Sequence, residues 1–322
     1  MKVRGFLACW ILGVLVPAGS GVTQERTNDC VLLLEEQARL IFGFDQMVDP
    51  DRWPIRPGGS LIEQVDRYVQ PVEILREEPP RRDQPGYVKP GYYAEVRLPA
   101  LREFGDSGQR QDFWGIVLRP AQESIEYLIE GWRHRELQPE DEATRRSLEE
   151  KGLLQDSPRD YLGIDYLVTY LNDRVISVLF CVDEYGTGAA HPNDYAYTIN
   201  FIIKEGRKIE LGDLFRPSHR WRDPARFTRE WMQYCVNQIF QNYHYDDMVW
   251  AKRHIRESLL SDVHGRRMPA WKDFLLTRQG LAIVSSGFFR VEGQVKFCEI
   301  PYTQIRSALR PELCVVPGQR CK

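Results

Sequence analysis

Tyr161-Leu162-Gly163-Ile164-Asp165-Tyr166-Leu167-Val168-Thr169-Tyr170, a turn at Asn172-Asp173, and then Val175-Ile176-Ser177-Val178-Leu179-Phe180 is the stretch that decides the fold. Two runs rich in β-branched and aromatic residues, joined by a short polar turn, predict an antiparallel hairpin. Tyr195 to Ile203 predicts a third strand, which turns at Lys204-Glu205-Gly206 into Lys208-Ile209-Glu210-Leu211. Four consecutive strands with tight turns predict an antiparallel meander. On the N-terminal side, Tyr92 to Leu98 alternates as a strand, and Ile125, Leu128, Ile129 and Trp132 share the spacing of one apolar helix face. The charged residues between 133 and 160 predict a solvated connection. On the C-terminal side, Asp223-Pro224 supplies a cap and a first-turn proline for a helix with Phe227, Trp231, Cys235 and Ile239 at every fourth position. Phe274 to Thr277 and Leu281 to Val284, around Arg278-Gln279-Gly280, predict a hairpin, and Val295 to Ile300 a further strand. A helix that follows a meander needs a sheet face to cover. The predicted architecture is therefore α+β, an antiparallel β-meander sheet covered on one face by helices and preceded by a smaller α+β domain.

The chain of 322 residues, 43% apolar and 28% charged, is long enough for a sizeable core and too mixed for disorder. With 43 Lys and Arg against 46 Asp and Glu, it lacks the cationic surplus that neutralises phosphates, which argues against nucleic acid as a partner. Lys2 and Arg4, the apolar run Gly5 to Val16, and Pro17-Ala18-Gly19-Ser20-Gly21 follow the order of a secretory signal peptide cleaved after Ser20. The apolar run is 12 residues, against the roughly 20 that cross a bilayer, so no stable membrane span is expected. The expected location is extracytoplasmic, periplasmic or secreted. Removing residues 1–20 takes the net charge from −3 to −5. Six cysteines remain as disulfide candidates in an oxidising compartment: Cys30, Cys181, Cys235, Cys298, Cys314 and Cys321. Their pairing is left open by the sequence, although Cys314 and Cys321 are close enough in sequence to close a local loop around Pro317-Gly318.

The domain reading is a signal peptide at 1–20, an N-terminal helix from Asp29 with a Pro-rich region of loops and short strands at 21–85, and a smaller α+β domain at 86–160. The main α+β domain follows at 161–313, and a tail at 314–322. No His-Glu-x-x-His, phosphate-cradling glycine loop, Gly-x-Ser-x-Gly or Cys-x-x-Cys occurs, and no cofactor or metal is expected. The densest polar cluster is Asp183-Glu184-Tyr185-Gly186-Thr187-Gly188-Ala189-Ala190-His191-Pro192-Asn193-Asp194. Its small residues permit sharp turns or close approach of another chain, and its acids and His191 are of types that serve as acid, base or ligand. Asp183, Glu184, Tyr185, Gly188, His191, Asn193 and Asp194 are the candidate binding residues, with no catalytic residue assigned. The alternative is an envelope hydrolase using His191 with Asp183, Glu184 or Asp194.

With these residues in place, the stretch from Tyr161 to Phe215 resembles a known family. Ser177-Val178-Leu179-Phe180, Gly188-Ala189-Ala190-His191-Pro192, Thr198-Ile199-Asn200-Phe201 and Ile209-Glu210-Leu211-Gly212-Asp213-Leu214-Phe215 are similar to the RsiV C-terminal domain family of lysozyme-sensing anti-sigma factors. That module also accompanies PdaC-type peptidoglycan deacetylases. Phe274 to Leu281 and Ile300-Pro301-Tyr302 resemble the family's closing strands, and Tyr93 to Trp132 resembles the smaller domain that precedes it. Where the family usually has Gly-Gly-Ala-His, this chain has Gly188-Ala189-Ala190-His191. The resemblance implies an extracytoplasmic α+β module without assigned catalytic residues. As partner it implies lysozyme or another muramidase, or peptidoglycan.

Overall fold

A computed structural model describes residues 67–139 except 103 and 104, 159–243 except 188 and 190–192, 271–285 except 278, 296–316, and a few positions within 143–150 and 252–256. The helix expected from Asp29, Cys30 and Cys321 lie outside the described residues. In chain order the elements are β1 (Val69–Glu78), β2 (Arg81–Gln84), β3 (Tyr87–Lys89), β4 (Gly91–Leu101), α1 (Ser107–Arg133) and β5 (Gln138–Pro139). They continue as β6 (Arg159–Leu171), β7 (Val175–Tyr185), β8 (Asn193–Ile202), β9 (Arg207–Lys208), α2 (Pro224–Tyr243), β10 (Phe274–Leu276), β11 (Gly280–Ser285), β12 (Lys296–Pro301) and the short α3 (Tyr302–Ile305). No described helix is long and apolar enough to cross a membrane.

The predicted meander is present as β6 to β9, each strand antiparallel to the next. Gly206, at φ +62°, supplies the left-handed residue that turns β8 into β9. The fourth strand is shorter than expected, because only Arg207 and Lys208 pair and the chain then enters a 3₁₀ turn at Leu211–Leu214. That turn buries Leu211 and Leu214, three residues apart as the 3₁₀ period requires. Strand β4 joins the meander parallel to β6, and β1 pairs antiparallel with β4 over its whole length. One six-stranded sheet of order β1-β4-β6-β7-β8-β9 therefore runs through residues 69–208. A parallel pair needs a crossover, and α1 lies within it. Its start is set by a capping box, in which Asp106 Oδ1 accepts from Gln109 N at 2.9 Å and Gln109 Oε1 from Asp106 N at 3.0 Å.

Phe113, Val117, Ala121 and Ile125 of α1 pack on one face of this sheet, against Val96, Leu98, Ile164, Val178, Phe180 and Phe201. The other face is buried too, as the unbroken burial of Val175 to Val182 requires: alternation vanishes where both sides are dry. A three-stranded sheet, β10-β11-β12, covers it, with Leu275, Ala282, Val284 and Phe297 against Leu179, Cys181 and Ala196. Beyond this second sheet lies α2, whose Phe227, Cys235, Val236 and Ile239 meet Ile283, Cys298 and Ile300. A Cys235–Cys298 disulfide joins α2 to β12. Cys314 is disulfide-bonded as well, and Cys181 is buried in the sheet interface.

Strand β10 is an edge of its sheet, and its outer backbone groups are satisfied by side chains of the large sheet. Phe274 N donates to Thr198 Oγ1 (3.2 Å) and Leu276 N to Ser177 Oγ (3.0 Å). Asn200 Nδ2 donates to Phe274 O (2.7 Å) and Thr169 Oγ1 to Leu276 O (2.9 Å). Four polar side chains thus do the work of a missing strand in a water-free interface. A register shift between Val168 and Tyr170 turns Thr169 toward β10.

Candidate functional site

The polar cluster forms the connecting end of the β7–β8 hairpin. The register sets Asp183 opposite Asp194 and Glu184 opposite Asn193, and Asn193 Nδ2 donates to Glu184 Oε1 at 3.3 Å. Tyr185 OH reaches Ala189 O at 3.3 Å, and Ala189 N closes a turn on Gly186 O at 2.8 Å. Asp183, Glu184, Tyr185 and Asn193 thus lie together at this connection. Gly188 and His191 lie outside the described residues, as does the side chain of Asp194.

The sequence reading missed what holds this connection. Asp160, its side chain only 4% exposed, accepts from Thr187 N at 2.6 Å and from Arg135 Nε and Nη2 at 3.1 and 3.3 Å. A two-pronged guanidinium–carboxylate pair with an added backbone N–H is a strong, directional anchor. At Gly186 a Cβ would stand 2.9 Å from Arg135 Nη2, so a side chain there would shift the end of the guanidinium. Arg135 and Asp160 flank the charged connection and are 25 residues apart, with no periodicity to link them.

From this end the register carries a face across the sheet to β1. One row runs Leu75, Glu95, Gly163, Asp183, Asp194, and the next Glu77, Tyr93, Tyr161, Tyr185. Tyr93 and Tyr161 stack with ring centroids 6.0 Å apart, and Tyr93 OH donates to Glu95 Oε2 at 3.1 Å. The Tyr161 ring lies back over Gly163, where a side chain would collide with its hydroxyl. In a third row, Arg97 stands 3.3 Å from Asp165 and 3.8 Å from Glu73, and on the far side of the tyrosine row Arg159, opposite Gly91, stands 3.7 Å from Glu77. Burial pushes the Asp165 carboxyl up, opposed by the Tyr166 N–H and by Arg97. The side chains of Glu73 and Glu77 are 76% and 56% exposed, and Leu75 between them 53%. Carboxylates outnumber guanidinium groups among the described residues of this face, which suits a cationic partner. Among the described residues, no group of three or more His, Cys, Asp or Glu could hold a metal ion.

No family model matches the chain, and no curated protein matches it. Among solved structures, a DUF3298-family protein from Bacteroides fragilis is similar over 78% of this chain and 96% of its own, at 13% identity and a TM-score of 0.49. A DUF3298-family protein from Pseudomonas aeruginosa is similar over 78% of this chain and 97% of its own, at 16% identity and a TM-score of 0.41.

Proposed function

We propose that this chain is a non-catalytic extracytoplasmic recognition module whose partner is a basic cell-wall hydrolase of the lysozyme type. The observation that carries the reading is the surplus of carboxylates, Glu73, Glu77, Glu95 and Asp183, along one sheet face that ends in two exposed acids. The signal-peptide order of residues 1–20 and the net charge of −5 that remains after them support the same compartment and sign of partner. So does the resemblance of Tyr161 to Phe215 to a lysozyme-binding family, since that stretch supplies three of the strands bearing the face, β6, β7 and β8.

Charge complementarity of this kind raises association rates more than it lowers dissociation rates. Residues 21–322 should bind an animal-type lysozyme with micromolar or tighter affinity, about −8 kcal/mol, with an association rate that falls as salt rises. Glu73→Lys with Glu77→Lys should slow association at low salt by about tenfold. Absence of binding to lysozyme, or an association rate indifferent to salt, overturns the proposal. So does hydrolysis of peptidoglycan fragments that is lost in His191→Ala.

A further inference from the structure

The outer edge of β1 is a second, backbone feature of the same region. Strand β1 ends the six-stranded sheet, and its register with β4 runs without a shift from Val69↔Leu101 to Glu78↔Tyr92. Just before it, Arg102 N donates to Tyr68 O at 2.9 Å in the same register. Successive residues of a strand turn their N–H and C=O to opposite sides. Even-numbered residues of β1 therefore bond β4, and Val69, Pro71, Glu73, Leu75 and Glu77 turn their backbone outward. The position of Pro71 agrees, because a proline is accommodated where the missing N–H faces away from the sheet. Past it, Glu73, Leu75 and Glu77 turn three donors and three acceptors outward, and among the described residues the one bond to them, a long 3.4 Å contact from the exposed Arg76 Nη1 to Leu75 O, is one that an incoming strand displaces. Their side chains project on the carboxylate face and are all exposed.

We infer that this edge takes up an extended, basic segment of a partner protein as an added antiparallel strand, with cationic, apolar and cationic side chains opposite Glu73, Leu75 and Glu77. Backbone pairing supplies affinity in strand addition, and alternate side chains supply selectivity. Residues directly opposite lie within about 5.5 Å, so two cations would meet the two carboxylates while an aliphatic side chain covers Leu75. A second copy of the chain fits poorly. The antiparallel self-pairing that uses all three outward residues sets Glu73 against Glu77 at both ends, and like charges directly opposite destabilise a sheet. The inference rests on the reading of a basic partner and adds the mode of contact.

The test uses residues 21–322 and the peptide Thr-Lys-Thr-Val-Thr-Lys-Thr, with Thr-Thr-Lys-Val-Lys-Thr-Thr as a control whose lysines fall on the opposite face. With the first peptide, amide hydrogen exchange at Glu73, Leu75 and Glu77 should slow by about tenfold or more, while Val72, Ile74 and Arg76, already bonded to β4, stay as they were. The control peptide, and the first peptide N-methylated at its valine, should bind about tenfold more weakly or worse. Leu75→Pro removes the outward N–H and the leucine side chain while leaving every bond to β4 in place, and it should abolish the protection, as should Glu73→Lys with Glu77→Lys. Unchanged exchange at the three odd positions, equal binding of the N-methylated peptide, or a concentration-dependent dimer lost in Leu75→Pro would overturn the inference. Lysozyme binding that is lost on charge reversal but kept in Leu75→Pro overturns the strand-addition mode alone. Peptide protection without lysozyme binding overturns the proposed partner alone.

Discussion

Replacing Ser177 by alanine should destabilise the protein far more than the loss of one hydroxyl from a surface strand would. Ser177 is fully buried, and its Oγ accepts from Leu276 N at 3.0 Å and pairs with Thr169 Oγ1 at 3.1 Å. Alanine leaves almost no cavity, so the cost is that of the orphaned groups. Thr169 Oγ1 keeps Leu276 O at 2.9 Å, whereas among the described residues Ser177 Oγ is the acceptor that the N–H of Leu276 has across the interface. A buried N–H left without a partner costs about 1–3 kcal/mol, against about 0.5 kcal/mol or less for an exposed serine. Urea unfolding should show a lower midpoint at unchanged slope, and hydrogen exchange at Leu276 should quicken relative to Leu275, which pairs with β11. Adding Thr169→Val should give a total loss that differs from the sum of the single losses, because the two hydroxyls share one network. A loss below about 0.5 kcal/mol with unchanged exchange at Leu276 would refute the view that these side chains stand in for a strand.

Other outcomes follow from the same structure. Removing the Cys235–Cys298 bridge, which spans 63 residues of sequence, should lower stability by about 4 kcal/mol in the loop-entropy account, read as a shift in urea midpoint for Cys235→Ala with Cys298→Ala. Asp160→Ala should cost about 1–3 kcal/mol by stripping Thr187 N and Arg135 of their acceptor. Proteolysis should then cut the 183–194 connection faster than in the parent protein, and equal cutting rates would contradict an anchoring role. Glu299 is buried, accepts from Thr277 Oγ1 at 2.6 Å, and has its carboxyl pushed above the ordinary 4.5 by burial. An acid whose folded pKa is raised contributes stability below its unfolded pKa and loses it as pH climbs through the folded value. Glu299→Gln should therefore be more stable than the parent near pH 7, with the advantage gone below about pH 4, as pH-dependent urea unfolding would show.

The meander was legible because Tyr161–Tyr170 and Val175–Phe180 are β-rich and a two-residue polar turn separates them, and neighbouring strands joined by tight turns pair with little loop entropy. The helix after Asp223-Pro224 was legible for an equally local reason, since its cap and its every-fourth-residue apolar face are written in consecutive residues. Strand β1 was not. Pro71, Pro79 and Pro80 made that region read as irregular, and only its place at the sheet edge, with the proline turned outward, makes a ten-residue strand acceptable there.

By itself, then, the sequence determined the α+β class, the β6–β9 order, the two long helices and the local gathering of Asp183, Glu184, Tyr185 and Asn193. Each rests on spacings of a few residues, which backbone geometry converts directly into a face or a turn. The tertiary structure alone decided that β4 lies parallel to β6, that Cys235 bonds Cys298, and that Asp160 and Arg135 anchor the candidate site. It alone decided that Thr169, Ser177, Thr198 and Asn200 complete the edge of a strand 74 to 107 residues away. Such contacts have no period to read. They form because buried N–H, C=O and charged groups must find partners once two sheets exclude water between them, and which partners are in reach depends on how the layers stack.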